Sequence, residues 1–216
     1  MPNDFDELNV LNSPTSLESL KSSPYYDYFI SMDLPDVEIA KRIQTAEEFE
    51  DEFMVILALA LILYQRGKYS SDIIRKRFRE AYSRVGNKRV STDSEYITQR
   101  SIEFSRDVER TTSEHLGSEY YTSIDRAMRM SETESNVVNN YAYFREMEKA
   151  GYTKKQWRTM LDKRVRDSHK VLEGKTIGLY EYFDVSGYPL LFPCDTSSSP
   201  SANAVVGCRC SLRFLK

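Results

Sequence analysis

The sequence predicts an α+β protein. A mainly helical N-terminal part, with a helical hairpin and further helices, is followed by a small C-terminal module of short antiparallel strands. Three observations carry this reading. Apolar residues recur at helical spacing between about residues 45 and 150. After Gly151 the texture changes to short, partly alternating segments separated by polar loops. All 3 cysteines, and His169 of the 2 histidines, fall within that last stretch.

Taken in order, residues 1–35 are rich in Asn, Ser, Pro and Asp and read as a flexible acidic tail. Aromatics occur there at Phe5 and from Tyr25 to Phe29, and the second group is expected to fold back on the body. A helical domain is assigned to residues 36–150. Its first helix is expected to start near Thr45, because Thr45 and Glu48 have capping-box spacing and acids crowd the turn that follows. It continues through the apolar run Phe53 to Tyr64 and stops near Gly67. That run has 12 residues, where a membrane span needs roughly 20, so a buried helix and no membrane contact are expected.

A second helix follows Ser70 and Ser71, with Ile74, Phe78, Ala81 and Val85 on one face and Gly86 placed as its cap. The two helices form an antiparallel hairpin. A third covers about 93–116, with Ile97, Phe104 and Val108 inward. Residues 117–133 give no clear pattern. A further helix at 134–150 carries Val137, Tyr141 and Phe144 and ends at Gly151. In the module at 151–216, strands are expected at 155–161 and 176–183, a helical turn at 167–173, an apolar segment at 189–192, and a last alternating segment at 208–214.

Charge is unevenly spread. Residues 1–52 carry 13 acidic and 3 basic side chains, residues 65–90 carry 9 basic and 2 acidic, and residues 153–175 carry 8 basic and 3 acidic. Such asymmetry suits contact with a polyanion or an acidic partner, or else reflects solvated helix faces. Arg66, Lys68, Arg75, Lys76, Arg77 and Arg79 are the candidate DNA-binding residues. The N-terminus has no basic flank or apolar run of a secretion signal, and the cysteine count is odd. A reducing environment is expected, with the cysteines as thiols or metal ligands.

The chemistry concentrates in one cluster: Trp157, Asp162, Arg164, Arg166, Asp167, Ser168, His169, Gly174, Glu181, Pro193, Cys194, Asp195, Cys208, Arg209 and Cys210. In a strand, Cys208 and Cys210 would share a face with Cα atoms about 6–7 Å apart, too extended for an easy disulfide. With His169 and Cys194 they offer three sulfurs and a nitrogen for zinc, and a zinc-dependent nucleic-acid-binding module is one alternative. A second is an enzyme or toxin-like module, in which His169 and a cysteine, oriented by Asp167 or Asp195, form a thiol–imidazole pair. Asp162, Arg164, Arg166 and Asp167 otherwise read as a salt-bridge lattice. No phosphate loop or zinc-protease motif is present, and His115 reads as a surface residue.

The order Trp157, Asp162, Arg164-Val165-Arg166-Asp167-Ser168-His169, Leu172, Gly174-Lys175, Glu181, Phe183, Pro193, Asp195 and Cys208-Arg209-Cys210 resembles the phage head morphogenesis family, the minor head proteins similar to phage Mu protein F. The match covers about residues 151–213. The resemblance implies a structural, non-enzymatic virion protein, present in few copies at the head interior or portal vertex and in the bacterial host cytoplasm during assembly. It implies binding to portal or capsid subunits, with contact to double-stranded DNA as a further expectation. The cluster residues are then a structural signature. The family pattern usually has Gly where Cys194 stands, so Cys194 is not a general ligand.

Overall fold

The computed structural model describes residues 17–90 and 93–216. The part of the acidic tail at 1–16, with Phe5, lies outside the described residues.

Residues 17–35 fold back on the body through aromatic burial. A 3₁₀ turn at Leu17–Leu20 and helix α1, Tyr26–Phe29, bury Leu20, Tyr25, Phe29 and Met32 against Ile39, Ile43 and Ala46. The Tyr25 hydroxyl donates to Glu50 at 2.7 Å. The aromatic group thus docks as expected, and the segment joins the body ahead of residue 36.

Helix α2 spans Asp36–Gln65 and begins nine residues before Thr45. Pro35 sits at its N-cap position in an extended conformation, and Asp36 and Glu38 supply the first-turn acids that favour a helix N-terminus. Thr45 lies inside the helix and donates its hydroxyl back to the Lys41 carbonyl at 2.7 Å. The capping-box spacing was therefore misleading. Helix α3, Ser71–Arg89, runs through Gly86 rather than ending there. A Cβ on Gly86 would stand 2.9 Å from Ile97 Cγ2, so this glycine permits close helix packing. Helix α4, Ser94–Glu114, matches the expected third helix, with the Asp93 side chain capping its N-terminus.

A second 3₁₀ turn, Glu119–Thr122, leads into helix α5, Ile124–Lys149, capped by Ser123. It absorbs most of the stretch that showed no clear pattern. The reason is its burial: Arg126, Ser131 and Thr133 are buried polar residues, so no apolar period marks the start of this helix. Phe49, Phe53, Phe78, Tyr82 and Phe104 stack between α2, α3 and α4 with ring centroids 5.0–6.0 Å apart.

The C-terminal module is antiparallel. β1, Lys154–Arg158, is central between β2, Thr176–Gly178, and β5, Ser211–Leu215. The strand expected over 176–183 is broken. Its last part belongs to β3, Phe183–Val185, which pairs with β4, Tyr188–Leu190, through the left-handed pair Ser186 and Gly187. Short helices α6, Asp167–Lys170, and α7, Ala202–Val205, lie in the loops. Cys208 and Cys210 precede β5 and are not in a strand, so the shared-face argument for them does not hold. One core cluster runs from Phe49 through Trp157 to Phe214, joining helices and module. Among the described residues no helix is long and apolar enough to cross a membrane.

Candidate functional site

The signature residues converge because β1 is clamped from both sides. Trp157, at its centre, is fully buried. Its N–H donates to the Lys175 carbonyl and its carbonyl accepts from Gly174, which brings the long loop 159–175 back onto the strand. The Glu181 carboxylate accepts the Gly178 N–H at 2.7 Å and closes the turn after β2. Asp195 accepts from the backbone of Leu191 and Ser197 at 2.8 and 2.9 Å. Each of these carboxylates satisfies loop N–H groups, which is a folding role.

The four residues Asp162, Arg164, Arg166 and Asp167 do not form one lattice. Asp162 pairs with Arg209 at 2.6 Å and accepts the Arg164 N–H at 2.9 Å. Arg209 and the Asp162–Arg164 turn thus lock together, and Arg209 also reaches Ser31 of the N-terminal segment. Arg166 donates to the Val206 carbonyl. Asp167 is exposed and pairs with Lys170, turned away from the cluster.

Trp157 packs edge-on against His169, with ring centroids 5.9 Å apart. His169, Cys208 and Cys210 are 1%, 3% and 3% exposed. His169 Nδ1 lies 3.4 Å from Cys210 Sγ and 3.5 Å from Cys208 Sγ. The Cys210 N–H also donates to Cys208 Sγ at 3.4 Å. Hydrogen bonds from the Cys194 and Cys210 thiols, with His169 adding to them against the cost of burial, hold Cys208 well below the ordinary thiol range. Donating to Cys208, together with burial, pushes the Cys194 and Cys210 thiols up. His169 Nε2 is buried without a hydrogen-bond partner among the described residues.

Cys194 stands beside this group. Its sulfur faces the carbonyls of Val205 and Cys208 at 3.7 and 3.6 Å, and the cluster of converging donors consists of His169, Cys208 and Cys210. Its φ of +66° is the left-handed region that favours Gly, the residue expected at this position from the resemblance. Helix α5 holds the loops in place: Asn136 donates to the Cys208 carbonyl at 3.0 Å and Asn140 to the Pro193 carbonyl at 2.8 Å. These two asparagines were missed from sequence, where nothing separates them from surface amides.

Near the site, Lys155 is fully buried. It donates to the Leu191 carbonyl at 2.7 Å, with its ammonium over the rings of Phe144 and Phe183. Burial pulls its pKa down to about 8, against the pull of Asp195 and Glu181.

The basic block resolves differently. Arg75 pairs with Glu109, Lys76 with Glu80, Arg84 with Glu52, Lys88 with Glu48, and Arg89 with Glu38 and Glu146. Acidic α2 therefore neutralises Arg84, Lys88 and Arg89 in the last turns of α3, while α4 and α3 itself supply the partners of Arg75 and Lys76. Arg66, Lys68, Arg77 and Arg79 are exposed and make no ion pair among the described residues.

A family model described as Phage Mu protein F like protein matches residues 65–213. The likeness thus extends beyond the C-terminal module to α3, α4 and α5. No curated protein and no solved structure gives a significant match. The match covers more than half of the sequence, and its span holds both the hairpin's second helix and the clamped loop around Trp157 and His169: the chain belongs to the phage Mu protein F like family.

Proposed function

We propose that the protein is a structural, non-enzymatic subunit of phage head morphogenesis that docks on portal or capsid subunits through the outer face of the α2–α3 hairpin. The observation that carries this is a stripe on α2. Val55, Ala58 and Ile62 recur at i, i+3 and i+7 and are exposed, and Arg66 continues the row. Ile73 is exposed on the adjoining helix. An apolar stripe with a cationic end suits a protein contact. The thiol–imidazole pair supports no nucleophilic enzyme, because its sulfurs are buried and Asp167 points away from His169.

The test is co-elution of the purified full chain with portal rings of its phage. The wild type is expected to bind, and a folded Val55→Asp/Ile62→Asp variant is expected to lose most of that binding. Undiminished binding by the folded variant would remove the hairpin from the account.

Four unpaired cations also favour a second reading, contact with double-stranded DNA. Four phosphate contacts give a log–log salt slope of roughly −3.6. Anisotropy titrations with duplex DNA should show that slope, and the variant with all four changed to Ala should lose it. A slope near zero in the wild type argues against DNA contact.

A further inference from the structure

The geometry points to a zinc-class metal site formed by His169 Nδ1, Cys208 Sγ and Cys210 Sγ. The argument starts from crowding. An imidazole nitrogen offers one direction, either an N–H or a lone pair. Here two sulfurs share that single direction, at 3.4 and 3.5 Å. One hydrogen bond cannot serve both well. One central atom can. Zinc–sulfur bonds of about 2.3 Å and zinc–nitrogen bonds of about 2.0 Å, set at tetrahedral angles, separate sulfur and nitrogen by roughly 3.5 Å. The donor atoms already lie at that spacing, and all fall within 4.8 Å of one another.

The surroundings suit such an ion. The three side chains are buried, and soft sulfur with imidazole selects zinc over magnesium or calcium. The Cys210 N–H directed at Cys208 Sγ is the kind of contact that supports a bound thiolate. Arg209, between the two cysteines, turns outward to Asp162 and keeps its charge away from the ion. The site joins α6 to the segment before β5, which are 39 and 41 residues apart. A metal there would staple the long loop to the end of the chain. Cys194 is left out of the ligand set because its sulfur is not among the donor atoms that lie within 4.8 Å of one another, and a water would complete the tetrahedron.

The test uses the full chain, reduced with a phosphine and titrated with Co(II) and then Zn(II). Roughly one equivalent of Co(II) is expected, with thiolate charge-transfer and tetrahedral d–d absorption, and Zn(II) should displace it. Cys194→Ser should keep the full signal, and Cys210→Ser should lose at least tenfold in affinity. Absence of a thiolate–cobalt band in the wild type overturns the site. Equal loss in Cys194→Ser overturns the ligand set. If Cys210→Ser does not fold, the wild-type titration decides alone.

Discussion

Helix α5 touches two buried polar regions that solve the same problem in opposite ways. On one side lies the guanidinium of Arg42, with no exposed surface. It donates to the Glu38 carbonyl at 2.9 Å, to the Glu38 carboxylate at 3.0 Å, and to Asn140 at 2.9 Å. Arg89 and Lys41 add their charges to Glu38, which stays below the ordinary carboxylate range although burial pushes it up. On the other side lie His169, Cys208 and Cys210, where two sulfurs compete for one nitrogen. Asn140 accepts from Arg42 and donates to the Pro193 carbonyl, and one turn earlier Asn136 donates to the Cys208 carbonyl. The charges of Glu38, Arg42, Arg89 and Lys41 offset one another, as a scaffold requires, with only Arg42 Nε of that guanidinium left without a hydrogen-bond partner among the described residues. The buried soft donors instead converge on one point at metal-ligand spacing, as an ion site requires.

The first way to break this comparison is to remove Arg42. Arg42→Ala leaves Glu38 buried beside fewer charges and should destabilise the protein by about 3–5 kcal/mol. Urea unfolding measures it, and a loss under about 1 kcal/mol would mean that the network is not a matched set.

Lys155 sharpens the comparison, because it is a buried charge held by a carbonyl and two ring faces instead of a carboxylate. Its folded pKa is depressed to about 8. Between there and its unfolded value near 10.5, the unfolded chain holds the proton that the folded chain releases. Stability therefore rises with pH through that window. Relative to Lys155→Met, the wild type should gain about 3 kcal/mol across it. Parallel pH profiles for the two proteins would show that Lys155 is not desolvated.

The smallest effect belongs to the surface. Arg84 and Glu52 make a two-pronged pair at 2.8 and 2.9 Å but remain partly exposed. Arg84→Ala should cost under about 1 kcal/mol by thermal melt. A larger loss would place the α2–α3 ion pairs alongside the Arg42 network.

The same contrast explains what the sequence disclosed. Helices α3 and α4 carry apolar residues on a helical period, so they were legible. The start of α2 was not, because the buried pair of Glu38 and Arg42 looks in sequence like surface charge. The start of α5 was hidden for the same reason, with Arg126, Ser131 and Thr133 at its buried positions. The acidic head and basic block suggested an external polyanion until folding paired Glu48 with Lys88 and Glu52 with Arg84. At the cluster, the order of residues was enough to indicate the family, and His169 did meet both later cysteines. The separation of Cys194, the outward turn of Asp167 and the non-strand setting of Cys208 and Cys210 depend on loop geometry, which spacing alone does not determine.

The most direct test of the contrast is a thermal melt of the full chain, loaded with zinc and kept reduced, with and without a strong chelator. An occupied staple adds stability by mass action. The chelator should lower the wild-type Tm by on the order of 5–10 °C, should leave Cys208→Ser unmoved, and should shift Arg42→Ala as it shifts the wild type. A wild-type melt that is identical with and without chelator, in protein first loaded with zinc, would contradict the account.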